Sequence, residues 1–369
     1  MIDRDELAGW LRLLATPKIG REAGRKLLAA FGSPQAVFDA PQSALREVVG
    51  AAAARALAQP PDSSAALAAT TLAWLQTEDA GGARHVVTLG DPQYPGALLE
   101  TADPPLLFYA QGQLDLLHKP ALTVAVVGSR NPTPQGADTA RAFSAHLSRA
   151  GWVVVSGLAL GIDGAAHEGA LEGATGTVAV VGTGLDRVYP RRHLDLAHRI
   201  TRCGVLLSEF SIGTPALPVN FPLRNRIIAG LARGTLVVEA ALQSGSLITA
   251  RLALEAGRDV FAIPGSIHSP LSRGCHSLIK QGAKLVDSAQ DILDEFGHPS
   301  AAGSGPEASN GPVADSLVQA LGFDPVSLDA LVARTGRSAA DLNGSLLQLE
   351  LNGVVMRLPG QLFQRKAQA

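Results

Sequence analysis

Four short stretches of this chain carry residue types that can hold an anion. The first, Gly128-Ser129-Arg130, follows the apolar run Thr123–Val127. A glycine there lets the backbone approach a ligand closely, the Ser129 hydroxyl and nearby N–H groups can donate to a phosphate oxygen, and the Arg130 guanidinium can grip it in bidentate fashion. The pairs Asn131-Pro132 and Thr133-Pro134 stiffen the loop before Gly136. A single glycine followed by Ser-Arg is not the GxGxxG dinucleotide fingerprint, because Arg130 would clash with a pyrophosphate where that fingerprint has its second glycine. The same letters also suit an arginine that merely caps or salt-bridges a helix.

The second stretch, Ser156-Gly157-Leu158-Ala159-Leu160-Gly161-Ile162-Asp163, has the form of a helix start prepared for an anion, with Ser156, Gly157 and Gly161 near the ligand and Asp163 as the expected N-cap. His167 lacks a partner at metal-ligand spacing and reads as structural. The third, Phe221-Pro222-Leu223-Arg224-Asn225-Arg226, sets two arginines around Asn225 after an aromatic. Cations for phosphates beside a ring for base stacking are what single-strand binding uses. The alternative is that Phe221 fills the core and one arginine pairs with Glu209 or Glu239. The fourth runs from Glu239 to Ala250, with Gly245 and Ser246, the expected cap, opening an apolar helix that carries Arg251.

Together these stretches put three helix starts and at least three arginines on one edge of one sheet, fit for several phosphates in a row. A nucleic-acid strand supplies such a row. Nothing fits GxxxxGK[ST], HExxH or a spaced Cys/His set, and no Ser, Cys or His stands in a triad context. His268, Cys275 and His276 lie in Gly/Ser/Pro-rich surroundings that read as loop. The chain is therefore expected to be non-catalytic, with no cofactor and no metal.

The elements that must position these loops show in the rhythm of the chain. Apolar, Val-rich runs at Thr123–Val127, Trp152–Ser156, Thr177–Val181, Val205–Ser208, Thr235–Glu239 and Asp259–Ile263 alternate with helical patterns such as Ala137–Arg149 and Leu247–Ala256. That alternation predicts an α/β domain: a Rossmann-like, doubly wound, mostly parallel sheet, whose ligands sit at the strands' carboxyl ends. We place it at residues 81–298. Residues 1–80 predict an all-α domain of SAM or helix-hairpin-helix type, with a turn at Gly20 that could offer N–H groups to DNA or serve as a packing corner. A Pro/Gly/Ser linker spans 299–312. Three helical segments and a hairpin over 313–369 predict a winged helix. Its third helix, Ser338–Leu351, carries Asp341 and Glu350 without Lys or Arg, favouring protein contact or packing over duplex reading.

Composition narrows the partner. The 369 residues carry a net charge of −2, so any nucleic-acid site must be locally basic and coat-like binding is disfavoured. Two separated cysteines, Cys203 and Cys275, suit a reducing compartment. An acidic N-terminus and no apolar run of membrane length point to a cytoplasmic protein without a membrane partner.

The segments VAVVGSRNPTPQG (124–136), SGLALGIDGAAHEGAL (156–171), TVAVVGTGLDRVYP (177–190), SEF (208–210), FPLRNRIIAGLA (221–232), VVEAALQSGSLITARLALEAGRDVFAIPG (237–265) and the G-x-x-x-L-I-x-x-G-A pattern of 274–283 resemble the DprA/Smf family across the whole central domain. The resemblance implies single-stranded DNA binding with little sequence preference, a homodimer through the Rossmann-like core, and delivery of DNA to RecA recombinase during natural transformation. It implies that Gly128, Ser129 and Arg130 form the family's phosphate motif and that Phe221 stacks a base. Two departures stand out: Pro218 where some members have a DNA-contacting lysine, leaving that charge absent or supplied by Arg191, Arg192 or Arg224, and His193 where asparagine is expected. Two other readings are a nucleotide phosphoribohydrolase on a related fold, with Glu239 and Arg226 as its acid and arginine, and a regulator reading duplex DNA through the winged helix. The hydrolase reading is weakened because Ile263-Pro264-Gly265-Ser266-Ile267 lacks a second glycine.

Overall fold

The computed structural model describes residues 2–77, 82–119, 122–297, 315–322 and 325–365; the linker expected at 299–312 lies outside the described residues. The chain opens with five helices: α1 (Arg4–Ala15), α2 (Arg21–Phe31), α3 (Pro34–Asp39), α4 (Gln42–Leu57) and α5 (Asp62–Gln76). Local chemistry sets their starts. Asp3 accepts from the Asp5 N–H at the head of α1, and Ser33 caps α3 with Pro34 in its first turn. The turn before α2 differs from expectation: the left-handed residue is Lys18, at φ 69°, while Gly20 is extended and serves as the N-cap, a conformation that does not require glycine.

The central domain runs β1 (Arg84–Thr88), α6 (Gly96–Leu99), β2 (Leu107–Gly112), β3 (Thr123–Val127), α7 (Pro134–Arg149), β4 (Val153–Ser156), α8 (Ile162–Ala170), β5 (Thr177–Val180), α9 (Leu194–Cys203), β6 (Val205–Ser208), α10 (Asn220–Leu231), β7 (Gly234–Val237), α11 (Ser246–Glu255), β8 (Asp259–Ala262), α12 (Arg273–Lys280), β9 (Lys284–Leu285) and α13 (Ala289–Glu295). Among the described residues its sheet has nine strands in the order β1-β2-β6-β5-β4-β3-β7-β8-β9. Strands β3 to β9 pair in parallel, and β2 and β1 add an antiparallel edge that the sequence rhythm did not announce. From β3 the chain builds outward to β6, then returns to lay β7 on the other side of β3. The crevice beyond the carboxyl ends of β3 and β7 is therefore the topological switch point, where open α/β sheets bind ligands.

Alternate residues of β3 enter different cores. Ala125 and Val127 pack with Ile227 and Ile228 of α10, while Val124 and Val126 pack with Phe143 of α7 and Trp152. This double burial is why the strands read as unbroken apolar runs. Leu7, Trp10 and Trp74 of α1 and α5 share a third cluster with Tyr109 and Leu206 of the sheet. The C-terminal part comprises α14 (Asp315–Leu321), β10 (Val326–Ser327), α15 (Leu328–Thr335), α16 (Ala339–Leu351), β11 (Val355–Leu358) and β12 (Leu362–Arg365), a winged helix built on its own cluster around Leu331, Leu342 and Phe363.

Candidate functional site

A cleft of about 430 Å³ opens at the switch point. Its walls are Gly128–Arg130 after β3, Ala159 and Asp163 at the start of α8, Phe221, Pro222, Arg224 and Asn225 of α10, and Ala241 with Gln243–Ser246 leading into α11. All four stretches singled out from the sequence thus meet in one place, though their residues divide into groups with different work.

Of the starts of α7, α8 and α11, only that of α11 holds no carboxylate among the described residues. The start of α7 is filled by Glu239: its carboxylate accepts from the Thr133 N–H at 2.9 Å and the Thr133 hydroxyl at 2.6 Å, while Thr133 caps Gly136. Burial raises the Glu239 pKa against these hydrogen bonds. The start of α8 is filled by Asp163, whose carboxylate accepts from the Ala159 N–H. Asp163 is not the N-cap as expected; Gly161 is, at φ 81°, and Asp163 sits inside the first turn. Here burial also raises the carboxyl pKa, opposed by Arg224. At α11, Gly245 is the exposed N-cap and Ser246 is the first helical residue, a correction to its expected capping role. Ser244 accepts from the Ser246 N–H and shares a 2.7 Å hydroxyl contact with Ser246. No carboxylate occupies this start among the described residues, leaving the helix dipole and one of the two hydroxyl protons for a ligand.

The arginines separate in the same way. Arg130 is exposed, lies 5.5 Å from the Phe221 ring centroid, and has no hydrogen bond or ion pair through its guanidinium among the described residues. Arg224, expected on phosphate, is instead 4% exposed: its Nη1 donates to the Val180 carbonyl at 2.5 Å and its Nη2 lies 3.7 Å from Asp163. Burial pushes its pKa down to about 10, so it stays charged at neutral pH. It pins β5, the β4–α8 loop and α10 together beneath the cleft. Arg226 points away: it pairs with Glu209 and lies 3.1 Å from Asp103, which also takes Arg21 at 2.7 Å and Arg25 at 2.6 Å. This network, with Glu209 as the carboxylate partner, explains why Arg226 is not at the site. It also ties α2 to the sheet. Asn225 stays near the cleft, its side-chain amide 3.5 Å from the Gly245 carbonyl.

The small residues need the largest correction. Ser156 is fully buried and donates to the Val126 carbonyl at 2.6 Å, so it offers nothing to a ligand. A Cβ at Gly157 would lie 1.6 Å from Arg224 Nη1, and one at Gly161 would lie 2.4 Å from the Ser129 carbonyl. At Gly128 it would meet Ile162 at 2.7 Å. These glycines admit protein atoms rather than a phosphate; of the four glycines expected at the site, Gly245 alone has its Cβ position in open space. Ser129 accepts from the Asn131 N–H, which leaves its own O–H free to donate toward the cleft.

Phe221 is half-buried, standing at the border of the cleft and an adjoining slot of about 60 Å³. Gly182 leaves room for its ring, and the Asn220 amide bonded to the Gly182 carbonyl at 3.0 Å fixes the start of α10. Tyr189 faces it with ring centroids 5.5 Å apart, a neighbour that sequence reasoning missed although the Tyr-Pro pair was in view. His167 is structural as expected: Thr177 Oγ1 donates to Val154, so the His167 Nδ1–H donates to Thr177, and Nε2 accepts from the Leu158 N–H. Glu239 and Arg226, required together by a phosphoribohydrolase, are each committed to other partners. Among the described residues no group of three His, Cys, Asp or Glu could hold a metal, both cysteines are free, and no helix is long and apolar enough to cross a membrane.

Fold and site define a doubly wound α/β protein with a locally basic, aromatic-lined cleft at its switch point, flanked by a helical part and a winged helix. The family profile described as DNA recombination-mediator protein A matches residues 85–297, and that of the DprA winged helix domain matches 300–361. Protein Smf of Escherichia coli is 41% identical over 79% of each chain. DNA processing protein DprA of Streptococcus pneumoniae is 52% identical over 56% of this chain and 72% of its own. The X-ray structure of the S. pneumoniae protein superposes with a TM-score of 0.67 at 40% identity, covering 80% of this chain and 98% of that one. A Helicobacter pylori DprA structure, described for its single-stranded DNA binding mode, gives 0.53 at 29% identity over 59% and 98%. The chain belongs to the DNA recombination-mediator protein A family, also known as DprA/Smf.

Proposed function

We propose that this protein binds single-stranded DNA at the switch-point cleft with little sequence preference, and hands it to RecA recombinase. The observation that carries the reading is the local arrangement around Arg130. Its guanidinium makes no hydrogen bond or salt bridge among the described residues, acting on the buried Asp163 only through space; it lies over the half-exposed Phe221 ring, and it shares a cleft with α11, whose start holds no carboxylate among the described residues. A phosphate held by Arg130, the Ser129 hydroxyl and the Ser244–Ser246 turn would leave its base beside Phe221. The single-stranded DNA binding mode of the H. pylori relative and the family's recombination-mediator description favour the same ligand. We also propose a homodimer through the Rossmann-like core and a cytoplasmic setting. The role proposed is binding, not catalysis.

The test is the affinity of fluorescent oligothymidylate, of other single strands and of duplex, across a salt series. Binding should favour single strands. Arg130→Ala should weaken every sequence alike and make the slope of log K against log salt shallower by about 0.7, one phosphate contact. If Arg130→Ala binds with wild-type affinity and slope, the reading is wrong.

A further inference from the structure

We infer that Tyr189 is a second base platform and that Arg191 and Arg192 continue the phosphate path beyond it, so the strand runs from α11 across Phe221 and out over the β5–α9 connection. This rests on the single-strand reading above. Tyr189 is 52% exposed, the one aromatic among the exposed large apolar side chains of the described residues. Exposed rings beside a basic cleft favour stacking ligands, since each base offers a π-face. Tyr189 lies 5.5 Å from Phe221 at an interplanar angle of 43°, and Phe221 in turn has the Arg130 guanidinium 5.5 Å from its centroid. Both rings border the same slot with Gly182 and Pro190. Cation, ring and ring thus form one continuous row.

The row continues in charge. Arg191 and Arg192 are exposed and their side chains make no hydrogen bond or ion pair among the described residues, whereas Arg187, Arg224 and Arg226 each have a carboxylate partner. The short helical turn Arg191–His193 is held in place by the His193 Nδ1–H, which donates to the Leu158 carbonyl at 3.0 Å, and by close packing of the ring on Gly164. Two unpaired guanidiniums on an anchored turn next to an exposed ring fit two successive phosphates of the strand beyond Phe221.

The experiment uses the full chain with oligothymidylate. Tyr189→Ala should lose about 5- to 100-fold in affinity, the worth of one stacked base, while Tyr189→Phe keeps wild-type affinity. Arg191→Ala with Arg192→Ala should make the salt slope shallower by about 1.4. A scan of single abasic units along the strand should find one position that costs the wild type affinity but costs Tyr189→Ala nothing. Wild-type affinity in Tyr189→Ala, or the same loss against every abasic strand, overturns the inference. Loss in Phe221→Ala without loss in Tyr189→Ala overturns this inference and leaves the single-strand reading standing; no binding by the wild type sinks the single-strand reading itself.

Discussion

At the scale of the residue, the site turns on arginines that look alike in the sequence and differ in their partners. FPLRNR offers Arg224 and Arg226 as equals of Arg130. Glu209 was offered from the sequence as a partner for one of them and takes Arg226, but Asp163 and Asp103 come from distant segments and meet them only in the fold. The type of chemistry was therefore legible, and so was Phe221, but which guanidinium remained free was not. The same holds for Ser156, Gly157 and Gly161, whose small size serves loop-on-loop packing. Removing a buried partner should be far more costly than removing a free one. Arg224→Ala strands Asp163 in the interior and should cost about 3–5 kcal/mol of folding stability in urea denaturation. Arg130→Ala should stay within about 0.5 kcal/mol of wild type. Equal effects from the two variants would contradict the division between pinned and free arginines.

At the scale of the element, three helix starts were expected to welcome an anion, and two bring their own. Glu239, just past the neighbouring strand β7, fills the head of α7, and Asp163 folds back into the first turn of α8, so of these three only α11 holds no carboxylate among the described residues. Glycine and serine before a helix announce a possible anion site; they cannot announce a carboxylate arriving from elsewhere. Helix α8 also carries a pH dependence. His167 is buried and neutral, with Leu158 N–H donating to Nε2, and burial lowers its pKa to about 3, helped by His193 and Arg224. An unfolded histidine titrates near 6.5. Between those values the unfolded chain holds a proton that the folded one does not, so stability falls as pH falls. The contribution is about 1.4 kcal/mol per pH unit, and it is absent above the unfolded value. Urea denaturation between pH 4.5 and 7 should show a steeper decline for the wild type than for His167→Gln. Parallel curves would mean that His167 is not held neutral.

At the scale of the whole molecule, the parallel order of the sheet was readable because strands β3 to β7 are buried throughout, whereas the short, exposed β9 left no apolar run to read. The antiparallel edge of β1 and β2 was not, since its strands are separated by α6 and irregular segments that break the rhythm. The helical part is integrated with the sheet through Trp10, Trp74 and the Asp103 network. The winged helix instead has its own core, with Gln364 of β12 bonded to Gln135 of α7 at 2.9 Å. Its α16 shows Asp341 and Glu350 without a basic side chain, and exposes Leu347 and Leu351. Deleting residues 313–369 should therefore leave single-strand affinity within about threefold of wild type and the stability of the remainder nearly unchanged, as measured by binding isotherms and thermal melts. Loss of binding would move the DNA site toward the winged helix.

The central claim is that a single strand passes through the cleft between β3, α10 and α11. A crystal structure of the full chain with a short oligothymidylate tests it most directly. The account predicts a phosphate within hydrogen-bonding reach of Ser129, Arg130 and the Ser244–Ser246 turn, with a base against Phe221. An empty cleft with the strand lying on the winged helix or the outer helices, or a small metabolite in its place, would contradict it.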